Sequence, residues 1–288
     1  MSELLDARTI RALGREIDLK PTKQLGQNFV TDGNTVRRIV SLANVGPADV
    51  VVEVGPGLGS LTLGLLATGA RVIAIEIDSK LANLLPSTVA SHQPDAVERL
   101  TIINADALEV TELPLAPTAV VANLPYNVSV PVILHLLESF PSWRTGLVMV
   151  QLEVADRLVA KPGSKVYGVP SVKLAWYAEA SRVGTVPPSV FWPVPNVDSG
   201  LVRITRQRVP DADRLRTFQL VDAAFVQRRK MLRSALSGIF SSSAAASVAL
   251  ESVGIDPTLR GEMLGINDFI RLATVETTDE ATGSGDEQ

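Results

Sequence analysis

The 288-residue chain has no cysteine, two histidines and only 5% aromatic residues. Without thiols, disulfides, thiolate zinc sites and cysteine nucleophiles are excluded by composition. With His92 and His135 alone, no histidine-based metal site is expected either. His92 stands in the polar stretch Ser91-His92-Gln93-Pro94 and His135 in a helical apolar pattern, so a surface loop and a helix face are read for them rather than catalysis. Also missing is any uninterrupted apolar run near the ~18 residues of a membrane-spanning helix. The start, Met1-Ser2-Glu3-Leu4-Leu5-Asp6, lacks the basic and apolar regions of a secretory signal. A soluble cytoplasmic protein with no membrane partner is therefore expected.

What the chain does have is enough apolar material, 46% of residues, for a substantial core. Its length suggests one large α/β domain with a smaller companion. The formal charge of −4 is unevenly spread: Glu276 to Gln288 holds five acids and no base, and the rest of the chain stands at +1. Between Gly200 and Phe240 nine Lys or Arg residues face three acids. Any one of these arginines can simply solvate a helix face, but the run Gln227-Arg228-Arg229-Lys230, with Arg233 beyond it, points to phosphate contact.

Short β-branched runs alternate with helical patterns through roughly the first two hundred residues, the mark of βαβ units and a mostly parallel sheet. Strands are predicted at 50–54, 72–77, 100–104, 119–122, 147–151, 181–186 and 201–205. Helical stretches between them include 60–67, 79–85, 130–138, 153–160 and 169–177. From about Asp211 the pattern turns wholly helical, at 213–225, 230–239, 244–253 and around 267–274, with Ser241 to Ala246 read as a low-complexity linker. The division expected is a flexible basic N-terminal segment at 1–24, an α/β domain at 25–208, a helical domain at 209–275 and a disordered acidic tail at 276–288.

Asn123-Leu124-Pro125-Tyr126 follows a short apolar run and so belongs just past the C-terminal end of a buried strand, where open α/β sheets hold their ligands. An amide oxygen, a proline-fixed backbone and an aromatic face suit a planar base carrying an exocyclic amine, whose hydrogens need acceptors and whose ring needs a stacking surface. Upstream, Val51-Val52-Glu53-Val54-Gly55-Pro56-Gly57-Leu58-Gly59-Ser60 reads as a strand entering a glycine-rich turn, with Gly55 and Gly57 letting a ligand approach the backbone. The dinucleotide fingerprint wants glycine where Ser60 stands, which disfavours hydride transfer. Glu76 closes the second strand about twenty residues later, where an acid can accept from both ribose hydroxyls. Asp78 reads as the cap of the following helix. Asp106 can accept from an adenine amine or, equally, close an Asx turn. Together these features point to methyl transfer onto a nucleic-acid base.

With Leu25-Gly26-Gln27-Asn28-Phe29-Val30, the Glu53 to Gly59 turn, Glu76, Asp106, Asn123 to Asn127, Phe191-Trp192-Pro193-Val194-Pro195-Asn196-Val197-Asp198-Ser199 and Phe225 to Lys230, the chain resembles the rRNA adenine dimethyltransferases of the small-subunit type from about Leu25 to Arg271. The resemblance implies a Rossmann-like class I methyltransferase domain with a seven-stranded sheet and a small all-helical C-terminal domain. It implies S-adenosylmethionine as cofactor, held by Asn28, Val30, Gly55, Glu76, Asp106 and Asn123. The implied substrate is a pair of adjacent adenosines in the 3′-terminal hairpin of 16S rRNA, each dimethylated on its amine, within an immature 30S particle. The acidic tail has no counterpart in that pattern.

In the expected chemistry the Asn123 side-chain oxygen and the Leu124 carbonyl accept the amine's hydrogens, Pro125 fixes the turn, Tyr126 stacks beneath the base and Phe191 closes its other face. The segment Arg8 to Lys23 is expected to be a flap over the cofactor that also touches RNA. Two rivals stand beside this reading: an antibiotic-resistance methyltransferase of large-subunit rRNA, and an assembly factor that uses the cofactor little. A monomer is expected.

Overall fold

The computed structural model describes residues 4–21 and 27–276. The basic N-terminal segment departs from the flexible flap expected of it. Asp6 accepts the Thr9 N–H at 2.7 Å and caps helix α1 (Ala7–Glu16). Leu5 and Ile10 are buried, whereas Arg8, Arg11 and Arg15 fall on the exposed face, so their charge does not oppose docking. Gly14 lets the helix lie on the Trp192 indole, since a Cβ there would stand 3.2 Å from the ring. The rest of the expected flap, 22–26, lies outside the described residues, as do the Leu25-Gly26 pair and the tail from 277 onward.

Beyond it come strand β1 (Phe29–Val30), helix α2 (Gly33–Ala43), β2 (Val50–Val54), α3 (Ser60–Leu66), β3 (Arg71–Glu76) and α4 (Ser79–His92). Pro86 lies within α4 and suggested an earlier end, but the helix runs on with Thr88 and Val89 buried one turn after Leu84 and Leu85. Packing of that face outweighs the missing donor. Next are β4 (Leu100–Asn104), β5 (Ala119–Asn123), α5 (Ser129–Ser139), β6 (Thr145–Gln151), α6 (Leu152–Leu158), α7 (Val169–Tyr177), β7 (Ala178–Val186), β8 (Phe191–Trp192) and β9 (Ser199–Arg206).

Seven strands form one sheet in the order β4-β3-β2-β5-β6-β9-β7, parallel from β4 through β6 and antiparallel where β9 joins β6 and β7. The chain runs outward from β2 in one direction through β3 and β4 and in the other through β5 and β6, which opens a crevice beyond the carboxyl ends of β2 and β5. β1 and β8 pair antiparallel as a separate two-stranded ribbon. Only two residues long, these strands carry no periodicity that a sequence reading can use.

Two compact units result. One comprises the described residues up to Val159 together with Ala178–Gln207; the other comprises Ala160–Tyr177 and the described residues from Arg208. The sequence reading left 160–177 with the sheet. They belong instead to the helical unit, because Tyr167 and Val172 are buried in one apolar cluster with Leu220, Leu236 and Phe269, and the Tyr167 hydroxyl donates to the Leu264 carbonyl at 2.9 Å. That unit is completed by α8 (Arg214–Val226), α9 (Leu232–Ala235), α10 (Ser243–Ser252) and α11 (Ile266–Ala273). Two expectations fail here. The helix read over 230–239 covers only Leu232–Ala235, and the supposed linker is the start of α10, with the Ser242 hydroxyl accepting the Ala245 N–H at 3.0 Å. Serine caps and alanine propagates, so this low-complexity run is a helix beginning. Among the described residues no helix is long and apolar enough to cross a membrane.

Candidate functional site

The crevice beyond β2 and β5 is a cavity lined by the glycine turn, the ends of β3 and β5, the residues after β4 and the stretch Gln27 to Val30. Gly55, Gly57 and Gly59 all have positive φ, which suits residues without a Cβ. At Gly57 space forbids one as well: it would stand 2.7 Å from the Phe29 ring. The turn thus depends on a residue of β1 above it, and the Ser60 hydroxyl, donating to the Val30 carbonyl at 2.7 Å, ties the two together.

Glu76 holds the other side of the turn. Its Oε2 accepts the Gly57 N–H at 3.1 Å and its Oε1 the Asp78 N–H at 3.0 Å. Burial, the largest influence, raises its pKa, while those N–H groups pull the other way. Each carboxylate oxygen keeps a second acceptor site, so two hydroxyl donors can still be met. Asp106 fills both roles left open for it: Oδ1 accepts the Leu108 N–H at 2.9 Å in an Asx turn, and the residue also lines the cavity. Asp78 caps α4 as expected, accepting the Lys80 N–H at 2.9 Å.

Asn123 ends β5 with its Nδ2 donating to the Asn28 carbonyl at 2.9 Å. A carbonyl can only accept, so the amide orientation follows from this contact, and Oδ1 is left as the acceptor for a ligand. Gly55 faces Asn123 and Pro125, with its added Cβ position 3.8 Å from the proline ring, so the ends of β2 and β5 meet here. Leu124 is buried and donates its N–H to the Met149 carbonyl at 3.0 Å. Tyr126 is half-buried, and its hydroxyl lies 2.7 Å from the fully buried Ser199 Oγ, which fixes the ring from its far end.

Asn28, Val30, Gly55, Gly57, Glu76, Asp106, Asn123 and Pro125 are thereby brought to one cavity. Phe191 is not among its lining residues. Expected to cover one face of the base, its side chain is 2% exposed and belongs to the core cluster with Phe29 and Val30. Its place in β8, opposite Val30, makes it a support for β1. The sequence reading missed two lining residues, Glu53 and Ile77. Ile77 is half exposed directly after Glu76, and an apolar side chain left open beside a buried acid is the signal that was available.

The residues expected to meet RNA lie in the helical unit and divide in two. Arg228 donates through Nε to Glu262 at 2.9 Å and through Nη2 to the Lys165 carbonyl at 2.6 Å. It ties the α8–α9 turn to the 3-10 turn Gly261–Met263 and to the segment before α7, so it is a strut in this structure and not a free phosphate ligand. Arg229, Lys230 and Arg233 are exposed, with Val226 and Met231 exposed beside them.

A family model described as ribosomal RNA adenine dimethylase matches residues 19–275. The chain is 65% identical to a ribosomal RNA small subunit methyltransferase A of Cutibacterium acnes, covering 94% of this chain and 95% of that one. A protein of the same name from Kineococcus radiotolerans is 60% identical, covering 95% and 92%. Among solved structures, a dimethyladenosine transferase from Plasmodium falciparum superposes with a TM-score of 0.72 at 23% identity, over 85% of this chain and 95% of that one. The 23S rRNA methyltransferase ErmE superposes at 0.63 with 27% identity, over 85% and 98%.

Proposed function

The chain belongs to the ribosomal RNA adenine dimethylase family, and from that premise we propose that it dimethylates the exocyclic amines of two adjacent adenosines in the 3′-terminal hairpin of small-subunit rRNA, with S-adenosylmethionine as donor. The orientation of Asn123 carries the chemistry: its Nδ2 is engaged by Asn28, so its Oδ1 serves as a fixed acceptor at the cavity. Identity of 56–65% to small-subunit enzymes favours that substrate over large-subunit rRNA.

The residues present fit the donor. Gly57 forms a cradle that a Cβ would fill, Glu76 and Asp106 supply acceptors, and Leu61, Ile77 and Val132 give apolar walls for a flat purine. In this reading Glu76 takes the ribose hydroxyls, Asp106 the adenine amine, and Asn28, Val30, Gly55 and Gly57 the backbone side of the donor. When bound, the donor supplies a methyl group already activated on a positively charged sulfur.

The protein's task is then alignment. An adenine amine is a weak nucleophile because its lone pair is delocalised into the ring. Asn123 Oδ1 and the Leu124 carbonyl accept its two hydrogens and draw the lone pair out of conjugation toward the methyl. Pro125 fixes the turn between them. Tyr126, anchored on Ser199, stacks against the base, a contact worth about 1–3 kcal/mol that offsets part of the cost of flipping the base out of its stack. No general base is required, since the ammonium product loses its proton to water. Phe191 holds β1 over the glycine turn. Exposed Arg229, Lys230 and Arg233 contact rRNA phosphates.

The setting proposed is the cytoplasm, with a monomer acting on an immature 30S particle. Incubation with methyl-labelled donor and, separately, unmethylated 30S particles, naked 16S rRNA and 50S subunits tests this. Label in 16S adenosines is the expected result. Incorporation confined to 50S subunits would establish the large-subunit rival, and donor binding without incorporation anywhere would leave an assembly factor.

A further inference from the structure

Glu53 interrupts the valines of β2 and is 1% exposed, yet it lines the cavity. Its Oε2 has no hydrogen-bond partner, and neither has the hydroxyl of Thr62, the fully buried neighbour on α3. A buried carboxyl left with an open oxygen is costly unless it stays neutral or meets a cation. The other acids of the cavity are differently placed: Glu76 accepts two backbone N–H groups and Asp106 one. Among the described lining residues there are three carboxyls and no Lys, Arg or His. The groups that face Glu53 are thus Thr62 from α3 and Glu76 from β3, and neither can neutralise it.

We propose that Glu53 is the counter-charge for a cationic group of the donor, protonated while the cavity holds no cation and ionised when one enters. The O–H bond of the carboxyl breaks as the donor binds, its proton passes to bulk water, and the carboxylate keeps the electron pair opposite the incoming cation. No co-reactant is needed. This inference rests on the donor named above, whose ammonium and sulfonium are the two cations that can play the part. Burial pushes the empty-site carboxyl up to about 8; the Thr62 hydroxyl opposes this weakly, and Glu76 adds repulsion in the same direction as burial. At neutral pH the proton is therefore present to be released.

Calorimetric titration at pH 7 in buffers of different ionisation enthalpy counts the proton. The donor's own amine, with a reference pKa of about 7.7–8.0, titrates nearby, so Glu53→Gln, nearly the same shape and uncharged, sets the baseline. Wild type should release about one proton more than E53Q on binding S-adenosylmethionine. Its Kd should fall by up to about tenfold per pH unit between pH 6 and 8, an increment that E53Q lacks. 5′-Methylthioadenosine, which has neither cation, should release none. With S-adenosylhomocysteine, which keeps only the ammonium, release equal to that of the donor assigns the pairing to the ammonium, and a smaller release assigns it to the sulfonium.

Equal proton counts for wild type and E53Q would overturn the proposal, as would full release with methylthioadenosine. Failure of wild type to bind the donor at all would instead remove the functional reading beneath it. Should E53Q not fold, the comparison between donor and methylthioadenosine on wild type decides alone.

Discussion

Asn123 is held by one hydrogen bond whose direction is dictated by a backbone carbonyl, so its contribution should be to the transition state more than to donor binding. Asn123→Ala should lower kcat by about 10²–10³-fold, the scale of losing one oriented oxyanion-type contact, with a much smaller change in donor Kd. Single-turnover methylation alongside equilibrium binding separates the two, and equal losses would remove the role. Glu53 also makes stability depend on pH. Its folded pKa, about 8, lies above the ordinary carboxylate value, so its contribution is fully present below about pH 4.5 and is lost as pH rises toward 8. The Tm of donor-free wild type, measured from pH 5 to 9, should therefore decline relative to that of E53Q. Sequence alone exposed Asn123 and Glu76 because each ends an apolar run at a recognisable spacing. Glu53 stood in plain sight within such a run, but nothing in a sequence tells whether a carboxylate in a valine strand finds a partner.

At the level of elements, the strands of the large sheet were legible to within a few residues, since buried parallel strands read as β-branched runs bounded by turn formers. The β1–β8 ribbon and α1 were not, because their placement comes from distant contacts: Phe29 over Gly57, Trp192 under Gly14. Gly14→Val should push α1 off the indole and cost about 1–3 kcal/mol, the usual range for overpacking, read as a lowered denaturant midpoint. Similarly, the α8–α9 turn holds two kinds of cation that a charge count cannot tell apart. Replacing Arg229 and Lys230 with alanine should weaken rRNA binding and reduce the magnitude of the slope of log K against log salt by roughly 1–2, with unchanged Tm. Arg228→Ala, by breaking the bridge to Glu262 and the contact with the Lys165 carbonyl, should lower Tm first, by the equivalent of about 1 kcal/mol.

For the molecule as a whole, two units were legible from the change of pattern near Asp211, but the passage of the chain between them was not. Residues 160–177 look like one more βα segment; only the burial of Tyr167 and Val172 among later helices reveals where they belong. A chain ended after Gln207 should retain every strand of the sheet yet leave that apolar segment uncovered. Such a truncation should aggregate, and replacing 160–177 in it by a short Gly-Ser link should restore soluble expression with a cooperative melt. The interleaving also bears on how the polypeptide leaves the ribosome that makes it. β7 emerges before β9, the strand that must slip between it and β6, and α7 emerges before every helix that will cover it. Neither half can settle until translation is nearly complete, so pausing within the stretch that encodes 160–200 would hold two unfinished surfaces open together, and chaperone dependence should be concentrated there.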